Sequence, residues 1–382
     1  MKNIHIVIGL GYGDEGKGVV TARLASNWGR NTVVVRFSGT SQASHHVVYG
    51  DKEHRFSHVG AGAFSNAKTY WAKTAYTDPP SLINELADLK VKGLNPLVLL
   101  SNESPLILPY DVLSTQIRDN ILKHGTTGGG LYSAFKREEH GIHMPTSLIN
   151  YPNILRAKLH ELSNYYEQQL KDLGVKDSVL YEYNYNLNPA IGIFMDSIKS
   201  NNINIIEKND LVLFRNIDAW IFEGSQGIML DKDFGIFPNV TPSKTTAEYA
   251  LKFISEARKF DPKVSNTVNI HYVTRTFATR HGNGPFFGEY LNFNFVDEVN
   301  KANEFQGKIK YAELDLESLQ YALTSARKCY SDYPELNIVE NVVMTCYDAY
   351  KPQQNIVEEL KRFSNTQNLM PITFRTGNNV LK

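Results

Sequence analysis

Short apolar runs alternate with longer amphipathic segments along the first part of the chain, an alternation typical of a parallel α/β sheet. Residues 4–8 form a β-branched apolar run, interrupted only by His5, and glycines at positions 9, 11 and 13 follow it. Residues 18–28 have the spacing of an amphipathic helix, and residues 33–37 form a second apolar run. Further runs of strand length lie at residues 97–101, 219–223, 267–274 and 338–344. The pattern predicts an α/β fold with a large, mostly parallel central sheet, flanking helices and a glycine-rich loop after the first strand.

A polar stretch in the middle of the chain departs from this alternation. Residues 154–173 have the pattern of one long helix with many polar positions, and residues 184–209 are rich in asparagine between short apolar runs. We therefore predict a helical subdomain at residues 151–211, inserted into the sheet. No Pro-, Gly- or Ser-rich linker clearly divides the chain, so we predict a single elaborated domain over residues 1–382.

The composition favours a cytoplasmic protein that acts on small molecules. Hydrophobic residues make up 42% of the 382 positions, enough for a large core, and 40 basic residues balance 40 acidic ones. A net charge near zero argues against a protein whose main task is to hold nucleic acid by its phosphates. The two cysteines, Cys329 and Cys346, cannot form a disulfide framework, which fits a reducing compartment. We expect no signal peptide and no membrane span, since no apolar run reaches about 18 residues.

Residues 11–18, Gly-Tyr-Gly-Asp-Glu-Gly-Lys-Gly, have the G-x-x-x-x-G-K spacing of a phosphate-binding loop. Glycines let backbone N–H groups turn towards phosphate oxygens, the start of a helix adds partial positive charge, and Lys17 supplies a full charge. Gly18 stands where a serine or threonine usually helps to hold Mg²⁺, so Asp14 is the nearest replacement ligand. The loop predicts binding of a nucleoside triphosphate with Mg²⁺. The alternative is a structural turn in which Asp14 and Glu15 are solvated.

Segments spread along most of the chain, in the same order, resemble the adenylosuccinate synthetase family. They lie at residues 13–18, 104–110, 125–130, 222–227, 237–246, 279–286 and 303–305. The first reads Gly-Asp-Glu-Gly-Lys-Gly, the third Gly-Thr-Thr-Gly-Gly-Gly and the fourth Phe-Glu-Gly-Ser-Gln-Gly. The resemblance implies the family's α/β fold, its homodimer and its reaction. In that reaction IMP condenses with L-aspartate, driven by GTP hydrolysis with Mg²⁺ as cofactor, through a 6-phosphoryl intermediate.

The resemblance also implies the catalytic residues. Asp14 matches the family's general base, which removes the proton on purine N1, and also its Mg²⁺ ligand. The segment Thr-Ser-Gln-Ala-Ser-His-His places His45 on the catalytic acid and the backbone carbonyl of Ser44 on a second metal ligand. Lys17 completes the catalytic set. His46 stands where the family has threonine, so an exchange of roles between the two histidines stays open.

The binding residues for two nucleotides follow from the same matches. The implied contacts of the triphosphate are Gly13, Glu15, Gly16, Lys17, Gly18, His46, Asp348, Thr376 and Gly377. The implied contacts of the purine monophosphate are Asp14, Gln42, Thr127, Gln226 and Thr241. Cys346 replaces a lysine that packs over guanine in the family, so GTP is the first choice of donor and ATP the alternative.

Two segments depart from the family pattern. After Asn-Glu-Phe the family has an arginine-rich loop that binds aspartate, whereas this chain has a shorter interval containing Lys308 and Lys310. A lysine is a point charge and lacks the two-pronged grip of a guanidinium on a carboxylate. We assign aspartate binding to Lys308 and Lys310, with Arg280 in support, and a different amine stays open. The family's arginine that crosses the dimer interface to a nucleotide phosphate has Arg137 as its closest substitute.

Three alternatives to IMP and aspartate remain at this point. The first is (d)GMP, which gives a 2-amino-adenylosuccinate; relatives with this activity tend to replace the base carboxylate by a small residue, so Asp14 favours a purine with hydrogen at C2. The second is a ligase for another amine or another carbonyl acceptor. The third is a regulatory protein that only binds a nucleoside triphosphate. The joint presence of Asp14, His45, Gln226 and Thr241 argues against the third, because a pure binder needs no acid–base pair.

Overall fold

The computed structural model describes residues 2–123, 125–199, 203–207, 216–288, 290–291, 307–346 and 356–373. Its strands are β1 (Asn3–Gly9), β2 (Thr32–Arg36), β3 (His45–Tyr49), β4 (Lys52–Phe56), β5 (Lys68–Trp71), β6 (Val98–Ser101), β7 (Asn204–Ile206), β8 (Ala219–Gly227), β9 (Thr267–Arg275), β10 (Phe277–Arg280), β11 (Lys310–Glu313), β12 (Asn337–Thr345) and β13 (Met370–Thr373). Its helices are α1 (Lys17–Ser26), α2 (Pro79–Val91), α3 (Pro109–Leu122), α4 (Leu131–Glu139), α5 (Pro152–Asp172), α6 (Asp177–Ser197), α7 (Glu248–Phe260), α8 (Leu316–Arg327) and α9 (Ile356–Thr366). Within these described ranges, no helix has the length and apolar character needed to cross a membrane.

Nine strands form one sheet in the order β13-β12-β9-β1-β8-β2-β5-β6-β7. Every pairing between neighbours in this sheet is parallel. The first strand lies inside the sheet, where Ile6 faces Phe222 of β8 and Ile270 of β9. The predicted α/β fold with a large parallel sheet is confirmed. Because the strands are parallel, the carboxyl ends of β1, β8, β9 and β12 meet at one edge, which is where ligands bind in such sheets.

The central strands of the sheet are buried on both faces, which explains why their sequences are mostly apolar. On one face, Ile6 belongs to a cluster that includes Leu251 and Ile254 of α7. On the other face, Val7 packs in a cluster with Val20 of α1. The helices on the two faces therefore fix the direction in which each strand end projects.

Two long helices, α5 and α6, fill most of the range predicted to be a helical subdomain. Their buried positions recur every three or four residues and form a separate apolar cluster with α3. In α5 these positions are Leu155, Leu159, Leu162, Tyr166 and Leu170. The chain then returns to the sheet through β7. The division into a subdomain at residues 151–211 stays a prediction.

Candidate active site

The glycine-rich loop between β1 and α1 has a backbone that side chains would obstruct. Gly13 and Gly16 have φ angles of 95° and 91°, in the left-handed region that favours glycine. A Cβ at Gly16 would also lie 3.0 Å from the hydroxyl of Thr345, at the end of β12. A Cβ at Gly18 would overlap the Cβ of His45. The small residue in the place of the usual serine or threonine thus allows His45 to pack against the start of α1.

The loop encloses the carboxylate of Glu15. Its Oε1 accepts hydrogen bonds from the N–H groups of Gly11 and Gly13, at 3.1 and 2.8 Å. Its Oε2 accepts from the ammonium of Lys17 at 2.6 Å, and both charged side chains are buried. Glu15 and Lys17 were both predicted to contact the triphosphate, and the structure brings them together inside the loop.

Asp14 stands at the surface of the same loop, in a left-handed conformation with φ of 66°. Its Oδ2 lies 3.2 Å from the Nη2 of Arg275, the last residue of β9. Since β9 is the neighbour of β1 in the sheet, the two strand ends bring the opposite charges together. Arg275 was not predicted from the sequence. Its place at the carboxyl end of an apolar run was the available signal.

His45 is held by a buried glutamate that the sequence motifs do not single out. The Nδ1 of His45, at the start of β3, lies 2.7 Å from Oε1 of Glu223 in β8. The other oxygen of Glu223 accepts from the N–H of Ala61 at 3.1 Å and lies 3.9 Å from Nη1 of Arg36. An ionised Glu223 fixes the proton on Nδ1 and turns Nε2 away from the carboxylate.

Burial has opposite effects on the two groups of this pair. It lowers the pKa of His45 below its ordinary value, and the nearby charges of Arg36 and Lys17 act in the same direction, although Glu223 opposes them. For Glu223, burial raises the pKa, but His45, Arg36 and the N–H of Ala61 outweigh it and leave the pKa below its usual range. The pair is therefore a carboxylate with a neutral imidazole at neutral pH.

The neighbouring His46 points elsewhere. Successive side chains of a strand project to opposite faces, and the Nε2 of His46 lies 3.6 Å from Glu53 of β4 instead of Glu223. The structure thus gives the two histidines different partners, and the Cβ of His45 lies against Gly18 of the phosphate loop.

Two of the residues predicted to bind the purine monophosphate contact each other. The hydroxyl of Thr127 donates to the side-chain oxygen of Gln42, which joins the turn at residues 125–130 to the segment that carries His45. Gln226, the second-last residue of β8, has a φ of 54°, and its side-chain oxygen would lie 3.1 Å from a Cβ at Gly13. Thr241 is tied through its N–H to the carbonyl of Leu230 at 2.8 Å. The roles of these residues stay predictions.

The cations predicted to bind aspartate lie at the β10–β11 hairpin. Arg280 is buried, its donors bond to the backbone carbonyls of Asn239, Asn283 and Pro285, and its guanidinium carbon lies 4.5 Å from the ring centroid of Tyr12. Lys310 faces Arg280 across the hairpin and donates to the carbonyl of Gly282 at 3.0 Å. Burial, and then the charge of Arg280, lower the pKa of Lys310. Lys308 is exposed just before β11. A role of Arg280 in binding a carboxylate stays a prediction, and it requires the guanidinium to leave these carbonyls.

Other predicted residues lie elsewhere. Asp348, Thr376 and Gly377 are outside the described residues. Arg137 is completely buried in α4, where it pairs with Asp111 at 3.4 Å and donates to the carbonyl of Leu106. The interpretation of Arg137 as a substitute for the cross-interface arginine is therefore wrong, because its guanidinium is enclosed by its own chain.

The described residues contain no group of three or more His, Cys, Asp or Glu side chains that could hold a metal ion. Mg²⁺ in phosphate-transfer sites is commonly held by one or two carboxylates together with substrate phosphates and water. The partly exposed carboxylate of Asp14 fits that pattern. The backbone carbonyl of Ser44, the residue before His45, supplies the kind of oxygen that this ion prefers.

Comparison with known proteins agrees with these features. Residues 6–315 match the family model described as adenylosuccinate synthetase. The chain belongs to the adenylosuccinate synthetase family. It is 32% identical over 305 residues to the adenylosuccinate synthetase of Ehrlichia canis, an alignment that spans 76% of this chain and 66% of that protein. It is 28% identical over 366 residues to that of Borrelia duttonii, spanning 90% and 80%. The family consists of carbon–nitrogen ligases, so the predicted enzyme class is confirmed.

Two solved structures share the family's fold with this chain. The fully ligated adenylosuccinate synthetase of Plasmodium falciparum has a TM-score of 0.62 at 21% identity, covering 89% of this chain and 76% of that one. The succinoaminodeoxyadenylate synthetase of cyanophage S-2L, bound to dGMP and to dATP as an energy donor, has a TM-score of 0.66 at 15% identity. That match covers 100% of this chain and 94% of the cyanophage protein. At these identities the two structures establish the fold of the adenylosuccinate synthetase family and nothing narrower.

Proposed function

We propose that this chain condenses a purine monophosphate with L-aspartate, that the purine is IMP, and that GTP drives the reaction. The observation that carries the proposal is the meeting of an acid and a base candidate at one phosphate loop. Asp14 lies within the loop, and His45, oriented by Glu223, packs against Gly18 of the same loop. A protein that only binds a triphosphate has no use for an oriented imidazole packed against the same loop that carries Asp14.

The reaction assigns each residue a step. Asp14 would accept the proton of purine N1, so that O6 attacks the γ-phosphorus and the bond to the nucleoside diphosphate breaks. The negative charge of bound phosphates would raise the pKa of His45, so that Nε2 takes up a proton and donates a hydrogen bond to the developing phosphate, while Lys17 would balance the charge of that phosphate. The amine of aspartate then attacks C6 and loses one proton to solvent, while the C6–O6 bond breaks and phosphate leaves with O6. Mg²⁺, held by Asp14 and the carbonyl of Ser44, would neutralise the charge of the triphosphate.

The second candidate is (d)GMP with ATP or GTP as the donor. Two departures from the family pattern support this second candidate. Cys346 stands at the nucleotide-binding end of β12 in place of a lysine, and Lys308 and Lys310 replace an arginine-rich loop. The cyanophage protein of the same fold is described with dGMP and dATP. Against this candidate, Asp14 is retained beside the position that a 2-amino group would approach.

Phosphate release tests the proposal. GTP and ATP are each offered with Mg²⁺ and aspartate, with IMP, GMP or dGMP in parallel, and product absorbance is followed in the same wells. Release that requires both IMP and aspartate is the expected result. Release that requires dGMP supports the second candidate. Absence of release with every combination contradicts the ligase proposal.

We also propose a homodimer that acts in the cytoplasm on small molecules. The neutral net charge and the family membership support this arrangement. Sedimentation velocity in the presence of IMP and GTP should give twice the mass of one chain. A monomer with full turnover would exclude an active site completed by a partner.

A further inference from the structure

The anion-binding part of the phosphate loop already holds an anion of the chain itself. We propose that Glu15 is a fixed internal anion that positions Lys17 and the loop N–H groups, so that the triphosphate binds outside this cradle and not within it. We define the cradle as the N–H groups of Gly11 and Gly13 together with the ammonium of Lys17. The inference rests on the proposed function in one respect, namely that the loop is the triphosphate site.

The cradle donors, backbone N–H groups and a lysine ammonium, are of the same type as those that hold a phosphate in ordinary phosphate loops. All three point at one carboxylate, with N···O distances of 3.1, 2.8 and 2.6 Å. Glu15 and Lys17 are 4% and 2% exposed, so this pair of charges is closed off from solvent. A phosphate group placed among the same donors would meet a buried negative charge at contact distance, which is strongly unfavourable at low dielectric. The cradle therefore cannot hold the Glu15 carboxylate and a phosphate group at the same time.

The ends of three strands surround Glu15 and restrict its movement. A Cβ at Gly9, the last residue of β1, would overlap the carboxylate, and so would one at Gly227, the last residue of β8. The main-chain carbonyl of Glu15 accepts a hydrogen bond from the hydroxyl of Thr345 at 2.6 Å, at the end of β12. Glycines at both contact points and a bonded backbone favour a side chain that stays in place over one that swings out when a nucleotide arrives.

A fixed Glu15 explains the arrangement of Lys17. An ammonium group has three donors, and the bond to Glu15 aims the other two in set directions from a buried position. Glu15 is then a positioning residue, which acts on the triphosphate through Lys17 and through the shape of the loop.

Chemical rescue of an emptied cradle tests this assignment. In Glu15→Ala, binding of Mg²⁺-GTP, measured by titration calorimetry without purine or amine, should weaken by about tenfold or more, the worth of a buried charge-assisted hydrogen bond. Added acetate should restore much of the affinity because it refills the cradle with a carboxylate. Acetamide has the same shape and no charge, and it should not restore binding.

Glu85→Ala is the matched control. Glu85 in α2 is also a buried glutamate that accepts backbone N–H bonds, from Ser57, His58 and Val59, but it faces no phosphate loop. Binding of Mg²⁺-GTP by the Glu85→Ala variant should not respond to acetate. If Glu15→Ala does not fold, Glu15→Gln keeps the shape and removes the charge, and it should show the same weakening.

Three outcomes would overturn the inference. Tighter binding of Mg²⁺-GTP or inorganic phosphate by either Glu15 variant would show that the cradle is the phosphate seat and that Glu15 competes for it. Equal rescue by acetamide, or unchanged binding by Glu15→Gln, would show that only volume matters. A wild-type chain that binds neither GTP nor ATP would remove the basis of the inference. A wild-type chain that binds a triphosphate but turns over no purine would contradict the proposed function alone.

Discussion

The close approach of His45 to the first turn of α1 explains why residue 18 has no side chain. Phosphate loops usually place a hydroxyl there, yet in this chain the space belongs to the Cβ of His45. In the sequence alone, Gly18 stands out only by the absence of a hydroxyl that could hold a metal ion. The structure shows that the same change makes room for the imidazole, which Glu223 then holds from the other side.

Substitution of Gly18 by alanine should therefore damage catalysis. The added methyl group has to displace His45, whose Cβ cannot move without β3, so we expect kcat to fall by about 10²-fold or more, in line with the loss of an acid–base group. Gly192→Ala is the control, since α6 has open space there and alanine favours a helix. The control should keep its activity and gain thermal stability. Equal kcat in both variants would contradict the packing argument.

Asp14→Asn is the second test at the scale of single residues. The amide cannot accept the N1 proton as a base, so turnover should fall by about 10²- to 10⁴-fold. Binding of the triphosphate should stay measurable by calorimetry, because the cradle and Lys17 are untouched. Full turnover in Asp14→Asn would remove the base assignment, and complete loss of nucleotide binding would give Asp14 a structural role in the loop.

Residues were predictable where they lie within a contiguous motif. The loop at residues 11–18 and the pair of His45 and His46 could be found because each segment is recognisable by itself. Glu223 and Arg275 were missed because each acts through a partner far away in the chain. Glu223 meets His45 across 178 positions, and only the pairing of strands brings them together.

At the scale of secondary structure, a pair of histidines links the central strands. The Nδ1 of His5 in β1 lies 3.0 Å from the Nε2 of His271 in β9. Only one proton fits between the two nitrogens, so at least one of the two imidazoles is neutral, and burial favours the neutral form of both. Burial lowers the pKa of His5 to about 4, and burial together with the charge of His5 lowers that of His271 to about 3.

These low pKa values predict that acid weakens the centre of the sheet. In the unfolded chain both histidines take up protons near their ordinary pKa of about 6.5, whereas the folded pair resists protonation. The contribution of the two neutral histidines to the free energy of unfolding is therefore fully present above pH 6.5. It declines as the pH falls towards 4, by roughly 2 kcal/mol or more between pH 7.5 and 5. Urea unfolding of wild type and of His5→Val/His271→Val should show a smaller loss in the double variant. Parallel losses in both proteins would contradict the assignment.

Elements were predictable in proportion to their length and burial. Strands β1, β2, β6, β8, β9 and β12 coincide with mostly apolar runs, and the sequence indicated all of them. Strand β7 has three residues and β5 begins with a half-buried lysine, so neither carries a periodic signal. The β3–β4 and β10–β11 hairpins were missed for a similar reason, since their strands have four or five residues and mix charges with apolar positions.

For the molecule as a whole, Arg137 joins the helical layer to the site. It lies in α4, directly after the turn at residues 125–130, and pairs with Asp111 of α3, which in turn accepts from the hydroxyl of Tyr166 in α5. Three helices and one turn of the candidate site are thus tied through a single buried ion pair.

Removal of one charge of the Arg137–Asp111 pair should destabilise the fold more than removal of both charges. Arg137→Met leaves a buried carboxylate without its counterion and should reduce the free energy of unfolding by about 3–5 kcal/mol. Arg137→Met combined with Asp111→Leu removes both charges and should recover part of that loss. Chemical denaturation of the three proteins measures the difference. A double variant less stable than the single one would show that the network, more than the charge balance, sustains this junction.

The position of β1 within the sheet bears on how the protein is made on the ribosome. Its two neighbours, β8 and β9, begin at residues 219 and 267, so the first strand to emerge has neither sheet neighbour for more than 200 residues. At translation rates of about 5–20 residues per second, this apolar strand waits for roughly 10–40 s. During that interval it is a bare β-strand with two open edges, the kind of segment that aggregates or recruits a chaperone. Slow or interrupted synthesis should therefore reduce the yield of soluble protein. The reduction should be larger than for a protein whose neighbouring strands are close together in sequence.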